Sequence, residues 1–338
     1  MFVRTLTTSI RLLSVAAVAL PLAGGCQIFE SYRYCSELPP AQLAAISPRL
    51  SETGLYSDVR ADTLAPGVMP YRPMFELWSD GASKRRWLAL PPGTRIDTSD
   101  MDSWQFPVGT KLWKEFTRDG IRIETRLLQR TGPRQGDWAT MAYLWNDANT
   151  DAIAVPDGIE DARGTSHDVP AANECTGCHG GRPSRVLGFS AIQLSGDALP
   201  GMLTLNELIE RDLLTAPPAG RLELRAEPEA RAALGYLHAN CGHCHNQERP
   251  ARTGLRCFDP ENELDFLLRA GELGDVTRTA AYRTAVGGAI KPGDPGGSEV
   301  VKRMNGRGRF PPSMPPLASE RIDAQGLAVV QAWIRGLR

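Results

Sequence analysis

Two stretches of the chain, Cys175-Thr176-Gly177-Cys178-His179 and Cys241-Gly242-His243-Cys244-His245, both read C-x-x-C-H. In each, two thiols stand one helical turn apart and a histidine follows directly. That spacing suits covalent haem: each thiol adds to one vinyl group of the porphyrin, and the histidine is set beneath the ring to ligate the iron. With 7 Cys and 5 His in 338 residues, one accidental copy is expected in roughly a few chains per thousand, so two copies are not chance. The competing chemistry is tetrahedral zinc held by four cysteines. The gap between the pairs is far longer than in a zinc ribbon, and zinc gives no reason for a histidine after the second cysteine both times. The spacing therefore predicts two covalent haem c groups. Cys175, Cys178 and His179 would hold one, and Cys241, Cys244 and His245 the other, with the two histidines as metal ligands.

The second motif ends a helical pattern. Pro228 can open that helix where its missing N–H costs nothing, and Ala230, Ala233, Leu234 and Leu237 form an apolar stripe leading into Cys241. Near the C-terminus, Asp323 can cap another helix, with Leu327, Val330, Trp333, Ile334 and Leu337 at helical spacing. Gly235, beside Tyr236, is expected to let this C-terminal helix cross closely. The first motif follows a connector rich in Asp, Gly and Pro, from Pro156 to Asn173. After it comes a loop whose Arg182 and Arg185 are either partners for haem carboxylates or plain surface arginines. Thr204 and Glu207 make a capping box for a helix with Leu205, Leu208, Ile209 and Leu213 on one face, and Pro217-Pro218 ends the unit.

Upstream, from about Tyr71 to Val155, runs rich in Trp, Phe and β-branched residues alternate with turn signals. Asp119-Gly120 between Lys111–Thr117 and Ile121–Arg130 is a strong hairpin signal. The spacing predicts an antiparallel β-sandwich or jelly-roll-like domain. Its tryptophans (Trp78, Trp87, Trp104, Trp113, Trp138, Trp145) read as core and cross-strand packing rather than a carbohydrate platform. Asp80, Lys84, Arg85 and Arg86 read as solvated charges beside turns.

The helix pair around the second motif, over roughly residues 228–338, resembles the crossing N- and C-terminal helices of class I cytochrome c domains. That resemblance implies a distal methionine in the loop Arg309–Leu317, where Met314 precedes Pro315. A thioether is a soft, neutral ligand that favours ferrous iron, and the neighbouring prolines stiffen the loop. Met304 competes, but lies in a helical stretch where core packing is the default. For the first haem the sixth position stays open among His167, His238, Met202 and no ligand. His243 reads as a solvent-facing spacer. The chain as a whole resembles an exported bacterial dihaem c-type cytochrome. This implies an α+β multidomain protein: the β-sandwich or jelly-roll-like domain, then mainly α-helical cytochrome c haem domains. The expected divisions are 1–25 signal peptide, 26–65 leader, 66–160 β-rich domain, 161–225 first haem segment and 226–338 second haem domain. It also implies electron transfer with an unidentified periplasmic or membrane redox partner, and no catalysis by the protein. Two rivals stand beside this reading. A dihaem peroxidase-like enzyme needs an open iron at the first haem. A metal- or disulfide-stapled binding protein would work through its β domain.

Compartment signals agree with export. Arg4 and Arg11 precede a short apolar stretch, Leu12 to Ala23, interrupted by Pro21 and too brief to span a bilayer. Leu22-Ala23-Gly24-Gly25-Cys26 resembles a bacterial lipobox with its leucine one place early, so Cys26 is the expected lipid anchor to the outer membrane. Cys35 and Cys257 remain as a candidate disulfide. Haem attachment and disulfides both belong to an oxidising compartment, the periplasm. A net charge of −1 supplies no basic field for nucleic acid.

Overall fold

The computed structural model describes residues 46–197, 199–249, 262–307, 313–316 and 320–338. The signal peptide, Cys26, Cys35, Cys257 and most of the loop Arg309–Leu317 lie outside the described residues. The framework is a six-stranded antiparallel sheet in sequential order, β3-β4-β5-β6-β7-β8. Its strands are β3 (Met69–Pro70), β4 (Ser83–Ala89), β5 (Lys111–Arg118), β6 (Ile121–Arg130), β7 (Trp138–Trp145) and β8 (Ala152–Ala154). A two-stranded ribbon of β1 (Tyr56–Asp58) and β2 (Thr63–Leu64) precedes it. The β5–β6 turn forms where the sequence places it. Asp119 and Gly120 take φ values of 50° and 79°, the double left-handed turn whose twist matches a hairpin.

One face carries the register row Trp87, Trp113, Leu127 and Met141, packed with Leu50, Leu55, Tyr56, Tyr143 and Trp145. These tryptophans are packing residues: the Trp113 indole donates to Thr53 Oγ1 (3.1 Å) and that of Trp145 to Thr125 Oγ1 (3.0 Å). The opposite face begins with Leu88, Leu112 and Leu128, which join Phe189, Leu203, Leu205, Leu208 and Leu214 in a second core. Because side chains alternate along a strand, Arg86, Lys114 and Arg126 follow on this same face, directly opposite one another. Among the described residues the only other sheet is the two-stranded β1–β2 ribbon, too small to make a sandwich. The N-terminal segment closes one face, and the polypeptide carrying the two motifs closes the other.

The expected mainly α-helical haem domains are not what the chain builds. Among the described residues the α-helices are α1 (Cys175–His179), α2 (Leu205–Glu210), α3 (Pro228–Asn240), α4 (Ala280–Ala285), α5 (Glu299–Asn305) and α6 (Ala324–Gly336). Only α3 and α6 reach 13 residues, and three helices stop at 5 or 6. The intervening sequence explains this. Pro292-Gly293-Asp294-Pro295-Gly296-Gly297 and Pro217-Pro218 deny the backbone donors and restraint that a helix needs. No helix among the described residues is long and apolar enough to cross a membrane.

The α3–α6 pair does form, with Leu234, Leu237, Val330, Trp333 and Ile334 in one core. Asp323 caps α6 by accepting from Gly326 N–H (2.9 Å). The close-approach glycine is not the expected one. A Cβ on Gly326 would collide with the Tyr236 ring, whereas one on Gly235 would strike Phe75, which arrives from the loop before β4.

Candidate functional site

The first motif is a single helical turn, α1. His179 Nδ1 lies 2.6 Å from the carbonyl oxygen of Arg185. A carbonyl only accepts, so Nδ1 carries the proton and the neutral ring keeps its lone pair on Nε2. Arg185 adopts φ 59°, a left-handed conformation uncommon in a bulky residue, within the turn that supplies this carbonyl. Burial pushes the His179 pKa down to about 4. The Arg185 hydrogen bond opposes the shift, and Lys114, Arg126 and Arg185 add to it. A neutral imidazole with its outer nitrogen fixed by a backbone acceptor is the form in which histidine binds a metal.

The second motif starts where α3 ends. Cys244 N–H and His245 N–H both bond to Cys241 O (3.1 and 2.8 Å), closing one turn. Here the histidine is held differently. Asn262 Oδ1 accepts from Leu264 N–H (3.0 Å), which leaves Asn262 Nδ2 to donate to His245 Nδ1 (2.8 Å). In this arrangement Nδ1 is the acceptor and a neutral ring carries its proton on Nε2.

The fold brings the two motifs into contact. Cys244 Sγ lies 4.0 Å from Gly177 O. Asn246, fully buried, donates through Nδ2 to Gly181 O beyond the first motif (3.1 Å) and to Gly242 O (2.8 Å) and His243 O (3.3 Å) within the second. Arg182 forms an ion pair with Glu248 (2.8 Å) and donates to Asp102 O (2.6 Å). It is a tie across this junction rather than a free propionate partner. His243 is 7% exposed, so it is no solvent-facing spacer. Burial pushes its pKa down to about 4, with His179, His245 and Lys114 near enough to add to the shift.

All four cysteines are free thiols that keep part of their surface accessible. Burial nevertheless pushes each thiol pKa up: that of Cys241 to about 12, that of Cys244 well above its ordinary value, and those of Cys175 and Cys178 in the same direction. Among the described residues, no group of three or more His, Cys, Asp or Glu is placed to hold a metal ion. The residue types at the first motif, two thiols followed by a histidine whose Nε2 keeps its lone pair, fit covalent haem, and those at the second fit it once the His245 proton is exchanged.

Lys114 and Arg126 lie in electrostatic reach of the first motif and belong, with Arg86, to a basic row across three strands that the sequence does not mark as a unit. Arg86 is buried and bonds Glu76 (3.3 Å), so it is not a solvated turn charge. Arg126 bonds both carboxylate oxygens of Glu124, through Nε and one terminal nitrogen. Lys114 stands between them in electrostatic reach of Cys178, His179 and His243. The available signal was weak: charged residues at strand positions that alternate with Leu112 and Phe116.

The candidates for sixth ligand separate. His167 is buried with Nε2 on Glu124 Oε1 (2.7 Å). The Nδ1 of His238 accepts from Leu268 N–H (3.0 Å), and burial drives its pKa to about 3. One ring nitrogen of each is engaged by the protein, and the neutral His238 ring carries its proton on Nε2. Met202 is half-buried in the turn before α2, and Met304 is buried in the core of α3, α5 and α6, as expected. Met314 is half-buried and tied by its N–H to Arg303 O (3.0 Å). No protein-family model matches the chain, and no curated protein or solved structure is found to be similar to it.

Proposed function

We propose that the chain is an exported dihaem c-type electron carrier, with haem c bound through Cys175 and Cys178 at one site and Cys241 and Cys244 at the other. The observation that carries this reading is the hydrogen bond from His179 Nδ1 to Arg185 O. It presets the lone pair of Nε2 directly after two cysteines one turn apart. When bound, haem supplies an iron that cycles between ferric and ferrous states. The chain orients the ligands, limits solvent and sets the surrounding charge. His179 would ligate the iron of the first haem, and His245 and Met314 that of the second. The junction made by Asn246 keeps the two sites adjacent, giving an electron a direct path between them. Export places the carrier in the periplasm, with lipidated Cys26 as its outer-membrane anchor and a periplasmic or membrane redox protein as its partner.

A peroxidase-like reading has one observation in its favour: His167 Nε2 is engaged by Glu124, and His238, whose Nδ1 accepts from a backbone N–H, carries its proton on Nε2, so neither presents a free Nε2 lone pair to the first iron. Peroxide turnover together with a high-spin ferric signal would select it. A low-spin spectrum without turnover supports the carrier.

A further inference from the structure

Like charges placed directly opposite on neighbouring strands repel, yet Arg86, Lys114 and Arg126 form such a row across β4, β5 and β6. The outer two are compensated by Glu76 and by Glu124. Among the described residues, no carboxylate comes within ion-pairing distance of Lys114. Its ammonium lies over the ring of Phe116, 5.0 Å from the centroid. Lys84, one step along the same face opposite Phe116, adds a fourth cation and donates a hydrogen bond to Leu77 O (2.6 Å). Burial first, then Arg86, Lys84 and Arg126, hold the Lys114 pKa well below the ordinary lysine range. A half-buried amine inside a ring of cations is costly unless an anion completes it. Lys114 is half-buried rather than sealed, and it and Arg126 lie in electrostatic reach of the part-accessible Cys178 of the first motif.

We infer that Lys114, flanked by Arg86 and Arg126, is the anchor of a carboxylate-binding site in front of Cys175–His179. One source of the carboxylate is the pair of acid groups on a haem held there, and that arm rests on the function proposed above. The other is a small soluble anion. In either case Lys114 acts by position and charge, as a cation beside the redox centre. Such a cation favours the reduced iron, so its removal makes the first haem a poorer electron acceptor.

The test uses holoprotein carrying Lys114→Met or Lys114→Arg, with haem counted by intact mass, potentials measured by spectroelectrochemistry, and binding of inorganic phosphate measured by calorimetry. If the haem acids are the source, Lys114→Met keeps both haems. One potential then falls by about 59 mV or more, a tenfold loss of electron affinity, while Lys114→Arg restores it and the wild type ignores phosphate. If the source is a soluble anion, phosphate binds the wild type and shifts one potential, and Lys114→Met abolishes both effects. The inference is overturned if Lys114→Met retains both haems with unchanged potentials and neither protein binds phosphate. A chain that carries no haem refutes the proposed function, while the phosphate arm still decides whether the anion site exists.

Discussion

The two C-x-x-C-H turns share their motif letters and present their histidines in opposite ways. At the first, a backbone carbonyl accepts from Nδ1 and leaves Nε2 as the lone-pair atom. At the second, a side-chain amide donates to Nδ1, so ligation there requires the Asn262 amide or the ring proton to rearrange. The surroundings differ as well. The first turn lies in electrostatic reach of Lys114 and Arg126 on a rigid sheet, whereas the second extends from α3 into the core that holds α6. A motif thus specifies which atoms can bond, while the neighbours decide which site is ready. We expect the first site to be preorganised and the second to be completed on loading.

The largest expected effect comes from removing one pair of thiols. Cys175→Ala with Cys178→Ala, or Cys241→Ala with Cys244→Ala, should each remove one haem of mass and leave the other attached; loss of both from either variant would make the sites inseparable. Met314→Ala should leave both haems in place, lower one potential and admit an exogenous ligand such as cyanide to one iron. Unchanged ligand reactivity would reassign the distal position. Asn262→Asp sharpens the comparison. A carboxylate accepts from Nδ1 and makes His245 a more basic ligand, so the potential of the second haem alone should fall, and an equal response at both sites would erase the distinction. Asn246→Ala leaves three buried carbonyls short of a donor and should cost about 1–3 kcal/mol in a denaturant titration. A smaller, graded effect concerns pH. His179, His243 and His238 have folded pKa values near 4, 4 and 3, all below the unfolded value of about 6.5. The unfolded chain therefore binds more protons as pH drops. Stability of the haem-free chain should be full above pH 6.5 and decline towards pH 4, as the midpoint of urea unfolding would report.

Some of this was legible in the sequence because the determinants are local. Asp119-Gly120 specifies its hairpin, Thr204 and Glu207 their capping box, and Pro228 and Asp323 the starts of α3 and α6. What could not be read depends on partners distant in the chain. The alternating strands look the same whether the covering layer is a second sheet or a run of irregular polypeptide, so they predict a sandwich where the described residues form one six-stranded sheet and a short ribbon. The helical stripes of α3 and α6 suggested a helical domain, but the Gly- and Pro-rich connections between them allow little further helix. The row Arg86, Lys114 and Arg126 exists only through strand register. The burial of His243 follows from Asn246 reaching Gly181, 65 residues away in sequence.

The most direct test of the central claim is the intact mass of the chain after export in a host with a cytochrome c assembly pathway. The account predicts a coloured protein heavier than its polypeptide by two haem groups, which remain attached under denaturing conditions. A colourless protein at bare polypeptide mass, with Cys175, Cys178, Cys241 and Cys244 still reactive as thiols, would contradict it.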